Sequence, residues 1–412
     1  MIQELTAGGR PARRSIGSLF ERILIRLGGR LLNGPAKGSL LLTLPSGRRV
    51  RLGAPNGETD AELRLNSYAL LRKALLRGSI GFAESYIDGD IETSDVVKVF
   101  RFFLDNEHLF MRAGRGVFKV RGADRLMHLL RRNSLKGSRR NIAEHYDLGN
   151  DFFAAWLDPD CNYSSGIYRS GTETLEEAQI AKQDLALSML GIEAGDKVLE
   201  IGCGWGGMAR RVARTGARVT AITLSREQLA YAREEADRLD LADRIEFHLR
   251  DYRHTSGNFD AVVSIEMIEA VGEAYWPTYF RTIHDRLRRG GMAAVQAITI
   301  DEERFDTYRN STDFIQRYIF PGGLLPTKRI IRDQARQAGL EPVDVRTFGP
   351  SYAETLREWR RRFEATWPEI AKLGFDERFR RMWRYYLGYC EIGFDLGMID
   401  VGLYQLQKPL NR

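Results

Sequence analysis

Cysteine is scarce in this chain. There are 3 in 412 residues, at Cys161, Cys203 and Cys390, and no two form a CxxC pair. That spacing argues against a disulfide framework and a structural zinc site, and makes a reducing cytoplasm the natural setting. Long apolar runs are missing too. None approaches the roughly 20 residues that a membrane-spanning helix needs. The N-terminus is broken by arginines and has no continuous apolar core, which argues against a secretory signal. Internal repeats and low-complexity tracts are absent. What remains is an ordinary globular composition, 43% apolar, over a length sufficient for two or three domains.

Charge is unevenly spread. Residues 1–140 carry 26 Lys and Arg against 13 Asp and Glu, and the remainder carries 36 against 42, within a net charge of +7. A basic first third suits an anionic partner, either nucleic acid or a phospholipid surface, or serves only as a solubilising surface. The segment "SLFERILIRLGGRLL" strengthens the lipid reading. It gathers Phe20, Ile23, Leu24, Leu27 and Leu31 on one helical face with Arg22, Arg26 and Arg30 mostly off it. A helix packed on its own domain would look the same. "LLLTLPSGRRVRLG" reads as a hairpin, and "SYALLRKALLRGS" and "DVVKVFRFFLDN" as short helices. Residues 1–130 are therefore expected to form an α+β, lipid-associated domain. Residues 131–141, "RRNSLKGSRRN", read as a linker, leaving 142–412 as the catalytic domain.

From about Gly191 strands and helices alternate. "KVLEI", "RVTAITL", "IEFHL", "FDAVVSI" and "GGMAAVQAI" read as strands. Between them lie helical stretches such as "SREQLAYAREEADRL", which begins on a serine cap. Alternation of this kind specifies a mostly parallel sheet covered on both faces. Directly after the first strand, "VLEIGCGWGG" supplies Gly202, Gly204, Gly206 and Gly207. Glycines there let backbone amides approach a ligand at the crevice where open α/β sheets bind. The spacing is not the G-x-G-x-x-G of dinucleotide folds. Together with Glu200 inside the strand, it favours S-adenosylmethionine over a nicotinamide cofactor.

Taken together, "VLEIGCGWGG", "ITLSREQ", "RDYR" and "VSIEMIEAVG" resemble the cyclopropane-fatty-acyl-phospholipid synthase family. So do "HYDLGNDFF" upstream and "YIFPGGLLP", "FGPSYAETL", "WPEI" and "YYLGYC" downstream. The resemblance runs from about Asn141 to the C-terminus, and "GSIGFAESYIDGDIE" extends it into the first third. It implies a class I (Rossmann-like) methyltransferase fold with a mostly parallel seven-stranded sheet beside the smaller α+β domain. The implied activity is S-adenosylmethionine-dependent methylation of a double bond in a phospholipid acyl chain, by an enzyme peripheral to the inner membrane surface and self-associating as a homo-oligomer. It also implies that Tyr163 and Ser164 close over the donor and that Gly202 and Gly204 lie beneath its methionine part. Thr223 and Gln228 are expected near ribose and amino-acid groups, and Asp251 and Tyr252 beside adenine.

Two acids, Glu266 and Glu269, follow the strand Ala261–Ile265 among apolar neighbours. Attack by an alkene on the donor leaves a carbocation, which needs an apolar yet negative pocket. Glu266 is expected on the cofactor wall and Glu269 facing the reacting chain. In the family, the counterpart of Glu269 holds a bicarbonate base together with a cysteine, a histidine and a tyrosine. Tyr352 matches the tyrosine. Ser165 stands at the cysteine position, Gln296 at the histidine position and Ala270 at a second histidine. These departures leave the product open between cyclopropane and methylene, methyl-branched or methylated-diene chains. Arg317, Tyr318 and Phe320 line an acyl tunnel or simply pack the core. His145 is read as structural. Three other readings compete: a small-molecule amine methyltransferase, nucleic-acid binding by the basic third, and a non-catalytic lipid-binding protein with a decayed site, against which the intact glycine loop, Glu269 and Tyr352 argue. Against the second, the linker arginines lack interleaved aromatics and no RNA-module signature is present.

Overall fold

The computed structural model describes residues 2–5, 21, 25, 36–54, 60–109 and 148–410. The linker, His145 and, apart from Glu21 and Ile25, the basic amphipathic segment lie outside the described residues. The chain divides into two compact units, residues 1–124 with 375–392, and residues 125–374 with 393–412.

In the first unit five strands form one sheet: β1 (Ile2–Leu5), β2 (Ser39–Thr43), β3 (Arg49–Gly53), β4 (Ala61–Leu65) and β5 (Ile91–Glu92), in the order β1-β3-β2-β4-β5. The expected hairpin is β2–β3, antiparallel around Pro45-Ser46-Gly47. In β4 the alternation is clean, with Ala61, Leu63 and Leu65 buried and Glu62 and Arg64 exposed, so one face meets the core. Helix α1 (Ala69–Ile87) runs further than its sequence pattern suggests and kinks at Gly78, whose φ is 57°. Helix α2 (Val96–Asp105) begins on Asp95, whose carboxylate accepts from Val97 N at 3.0 Å. The unit is discontinuous in sequence. A boundary near residue 130 leaves out 375–392, a stretch of the last helix whose Tyr385 ring meets Phe100 edge-on at 5.0 Å.

The second unit carries the parallel sheet. Its strands are β6 (Lys197–Ile201), β7 (Arg218–Thr223), β8 (Ile245–Leu249), β9 (Phe259–Ile265), β10 (Leu287–Ile300), β11 (Glu341–Thr347) and β12 (Ile399–Gln407). The order is β11-β12-β10-β9-β6-β7-β8, with only β12 antiparallel to its neighbours. Chain direction across the sheet reverses at β6, with β7 on one side and β9 on the other. That switch point is where doubly wound sheets bind ligands. Around the strands lie α3 (Asn150–Ala154), α4 (Leu175–Leu190), α5 (Gly207–Ala213), α6 (Arg226–Arg238), α7 (Trp276–Arg286), α8 (Glu302–Arg309), α9 (Phe314–Tyr318), α10 (Lys328–Gln337), α11 (Gly349–Ala365) and α12 (Trp367–Lys372), while most of α13 (Glu377–Asp395) belongs to the first unit. Leu199, Ile201, Val262 and Val295 from the strands pack on Tyr279, Phe280 and Ile283 of α7 in one apolar core. Among the described residues no helix is long and apolar enough to cross a membrane.

The serine cap read from the sequence is in place: Ser225 Oγ accepts from Gln228 N at 3.2 Å and starts α6. Ser225→Ala is expected to cost about 1 kcal/mol, as cap removal generally does, seen as a lower midpoint of thermal unfolding. An unchanged midpoint would deny the cap its role.

Candidate active site

The loop after β6 is built from residues that need unusual backbone angles. Gly202, Gly204 and Gly206 have φ of 84°, 52° and 83°. The amides of Gly202 and Cys203 both donate to Ile222 O, at 3.0 and 2.9 Å, tying the loop to the end of β7. A Cβ on Gly202 would come within 2.9 Å of Met267 Cγ, in the turn after β9. Any side chain there narrows the gap between the two loops at the switch point.

That gap opens into one cavity. Tyr163, Ser164, Glu200, Gly202, Gly204, Thr223, Gln228, Asp251, Tyr252 and Glu266 all line it, so the ten residues expected around the methyl donor come together. Thr223 Oγ1 donates to Gln228 Oε1 at 3.0 Å. Burial works to raise the Asp251 carboxyl, but the Arg253 guanidinium, at 2.8 and 2.7 Å, wins and holds it below its usual value. Glu200 is 2% exposed, and its Oε2 has no hydrogen-bond partner. Burial pushes this carboxyl up to about 8, against the pull of Arg210 and Lys182. A buried acid with one oxygen free of a partner, two further acids and a glycine cradle suit a cationic ligand such as a sulfonium. Tyr163 lies in an aromatic bed, its ring 5.4 Å from Phe153, 5.7 Å from Trp156 and 5.3 Å from Trp359.

At the far wall the two acids separate. Glu266 directly follows β9 with φ of 48°, a strained angle for a residue with a side chain, and its own amide donates to Gln296 O at 2.9 Å. Three donors converge on its carboxylate. Ser165 N and Gln296 Nε2 reach Oε1 at 2.9 and 2.6 Å, and Tyr352 OH reaches Oε2 at 2.7 Å. Pro350 in the first turn of α11 helps start the helix that carries Tyr352, and the Tyr352 ring stacks on Phe394 at 4.4 Å. Burial pushes the Glu266 carboxyl up, while Tyr352, Ser165, Lys182 and Gln296 pull against it.

Glu269 sits differently from the expectation. It is not among the cavity-lining residues. Its Oε1 accepts from Ile298 N at 2.5 Å, and its buried Oε2 has no partner. Burial, and then the charge of Glu266, push its carboxyl up to about 8. Ser165 also acts otherwise than its position suggests, because its hydroxyl donates to Gly166 O at 2.8 Å and only its amide faces the acid. The donors expected around a bicarbonate ion are thus already spent on Glu266, and a further anion there would meet two carboxyls. The residues do not fit that ion.

Arg317, Tyr318 and Phe320 do not line the cavity either. Phe320 approaches the Tyr163 ring at 6.5 Å, and Arg317 lies over the Tyr318 ring at 5.5 Å. The sequence reading missed Lys182, Arg253 and Met267, all cavity-lining. Lys182 sits on the buried face of α4, and only its place opposite the glycine loop reveals it.

Comparison with known proteins agrees with this geometry. The family model for mycolic acid cyclopropane synthetase matches residues 133–404. The chain is 42% identical over 349 residues to tuberculostearic acid methyltransferase UfaA1 of Mycobacterium tuberculosis, covering 81% of this chain and 80% of that one. It is 36% identical over 360 residues to cyclopropane-fatty-acyl-phospholipid synthase of Escherichia coli, covering 86% and 89%. Among solved structures, mycolic acid cyclopropane synthase CmaA1 complexed with SAH and CTAB superposes with a TM-score of 0.61 at 31% identity, over 66% of this chain and 98% of that one. The chain therefore belongs to the mycolic acid cyclopropane synthetase family, the S-adenosylmethionine-dependent methyltransferases that modify lipid acyl chains.

Proposed function

We propose that this enzyme methylates a double bond of an unsaturated phospholipid acyl chain, with Glu266 as the base that completes the reaction. The observation that carries the reading is the convergence of Ser165 N, Gln296 Nε2 and Tyr352 OH on one buried carboxylate. When bound, S-adenosylmethionine supplies an electrophilic methyl carbon, which the acyl double bond takes up to leave a carbocation on the chain. Gly202, Gly204, Glu200, Thr223, Gln228, Asp251 and Tyr252 hold the donor, with Tyr163 and Ser164 over it. Glu266 then balances the cation and removes a proton, the C–H electron pair passing into the acyl product.

Two neighbouring buried carboxyls do not both ionise readily. Glu266 has three donors and Glu269 one, so Glu266 carries the charge and Glu269 the proton. A base held in place by the protein takes over the task that a bound bicarbonate performs where the cysteine and histidine are present. The product is a methylene-bearing or methyl-branched olefinic chain, because loss of one proton from the cation restores one double bond. This is supported by the altered positions Ser165, Gln296 and Ala270, and by higher identity to the tuberculostearic acid methyltransferase than to the cyclopropane-forming relative. The basic first unit is the part that contacts the membrane. In support, Leu75 and Leu76 of α1 are 63% and 48% exposed, and exposed Arg72 lies one turn away.

With labelled donor and defined unsaturated phospholipids, Glu266→Gln is expected to lose about two orders of magnitude in turnover, the scale of general-base catalysis, while still binding donor. Glu269→Gln, which keeps an acceptor for Ile298 N, retains more turnover. Equal turnover in Glu266→Gln and wild type would reject the base. The product is read by mass spectrometry and proton NMR. Upfield cyclopropane protons as the sole product signature would overturn the branched reading. Gly202→Ala, strained at positive φ and pressed on Met267, is expected to weaken donor binding by about tenfold in calorimetry, the equivalent of 1–2 kcal/mol of left-handed strain. Unaltered affinity would place the donor elsewhere.

A further inference from the structure

Helix α4 turns a polar face inward. Gln179, Lys182 and Gln183, spaced to share one face, are 1%, 1% and 2% exposed. Long polar side chains are rarely buried so fully, and a lysine least of all unless it has a partner. All three reach the loop ahead of Ser165. Gln179 Nε2 donates to Ser164 O at 2.6 Å, Lys182 Nζ to Ser164 Oγ at 2.7 Å and Gln183 Nε2 to Asn162 Oδ1 at 3.0 Å. The next amide along the chain is that of Ser165, which donates to Glu266. Three side chains of one helix thus aim a backbone N–H at the carboxylate on the opposite wall.

Lys182 does more than hold a loop. Its hydrogen-bond partner is a neutral hydroxyl, so its charge is not matched by an acid at contact distance. It faces Glu266, Asp158 and Glu200 through space and lines the same cavity as Glu200 and Glu266. We propose that Lys182 is a positioning residue for the reaction, its ammonium keeping Glu266 ionised and its bond to Ser164 fixing the peptide that donates to Glu266. This rests on the reading of Glu266 as the base.

The groups facing Glu266 are Lys182 from α4, Gln296 from β10, Tyr352 from α11 and Glu269 from its own turn. Burial and Glu269 oppose its charge. Of these neighbours only Lys182 is a cation. Burial pulls the Lys182 amine down to about 8 against the three acids, so it is mostly protonated at neutral pH and loses its charge above that value. Removing the charge raises the pH at which Glu266 ionises. Because catalysis needs ionised Glu266, activity is lost as pH falls through that value, and the acid limb of the rate profile moves upward.

The test is the pH profile of turnover at saturating donor on unsaturated phospholipid vesicles, for the full-length wild type, Lys182→Met, Lys182→Gln and Lys182→Arg. Both neutral variants are expected to shift the acid limb up by at least about one unit, as loss of a nearby opposite charge does. They are slowed most on the acid side of the profile and recover toward wild type as pH rises. Lys182→Gln keeps a donor for Ser164, so it reads the charge even if Lys182→Met folds poorly. Lys182→Arg is expected to keep the wild-type limb. A neutral variant slowed equally at every pH, with its limb unmoved, would overturn the proposal. Glu266→Gln is run alongside. If it stays active, the base itself is wrong; if it is inactive while the limbs stay put, only the role of Lys182 fails.

Discussion

The site depends on one buried negative charge. A carboxylate inside protein is costly unless it is hydrogen-bonded on both oxygens and sits in a favourable field. At Glu266 both conditions hold, through Ser165 N, Gln296, Tyr352 and the nearby Lys182. Each contribution comes from a different part of the second unit: the loop before α4, strand β10, helix α11 and helix α4 itself. The fold around the switch point can be understood as the scaffold that brings these four together. The left-handed backbone of Glu266 is the local strain this convergence requires.

Charge also explains the two ends of the cavity. The donor carries a sulfonium, and the reaction moves positive charge from it onto the acyl chain. Asp251, held ionised by Arg253, lines the cavity near the glycine loop, and Glu266 lines it directly after β9. A negative wall that is already oriented needs little reorganisation as charge moves, which is where fixed dipoles and charges gain most over water. Glu269, one turn on and held by a single amide, shows the opposite solution: a buried acid with few donors keeps its proton.

Much of this was legible in the sequence. The parallel strands, the serine cap of α6 and the glycine loop lie where periodicity and turn residues put them, because each is a local property of a few neighbouring residues. Most of the ten donor-site residues could be named because the motifs that carry them resemble those of a known family. The roles of the two acids could not. Which one faces the donors is decided by the backbone angle of Glu266 and by an amide at Ser165, 101 residues away. Ser165 illustrates the limit: the residue at the cysteine position contributes its backbone rather than its side chain. Lys182 was hidden for a related reason, since a polar face on a helix reads as solvated until a loop is seen to cover it. The assignment of 375–392 to the first unit likewise depends on packing between segments far apart in sequence.

The central claim is that the proton leaves to a carboxylate belonging to the protein. It is tested most directly by assaying purified enzyme in buffer freed of carbon dioxide and then restored with bicarbonate. Turnover that is the same in both is the expected result. Turnover that collapses without bicarbonate and returns when it is added would contradict the account.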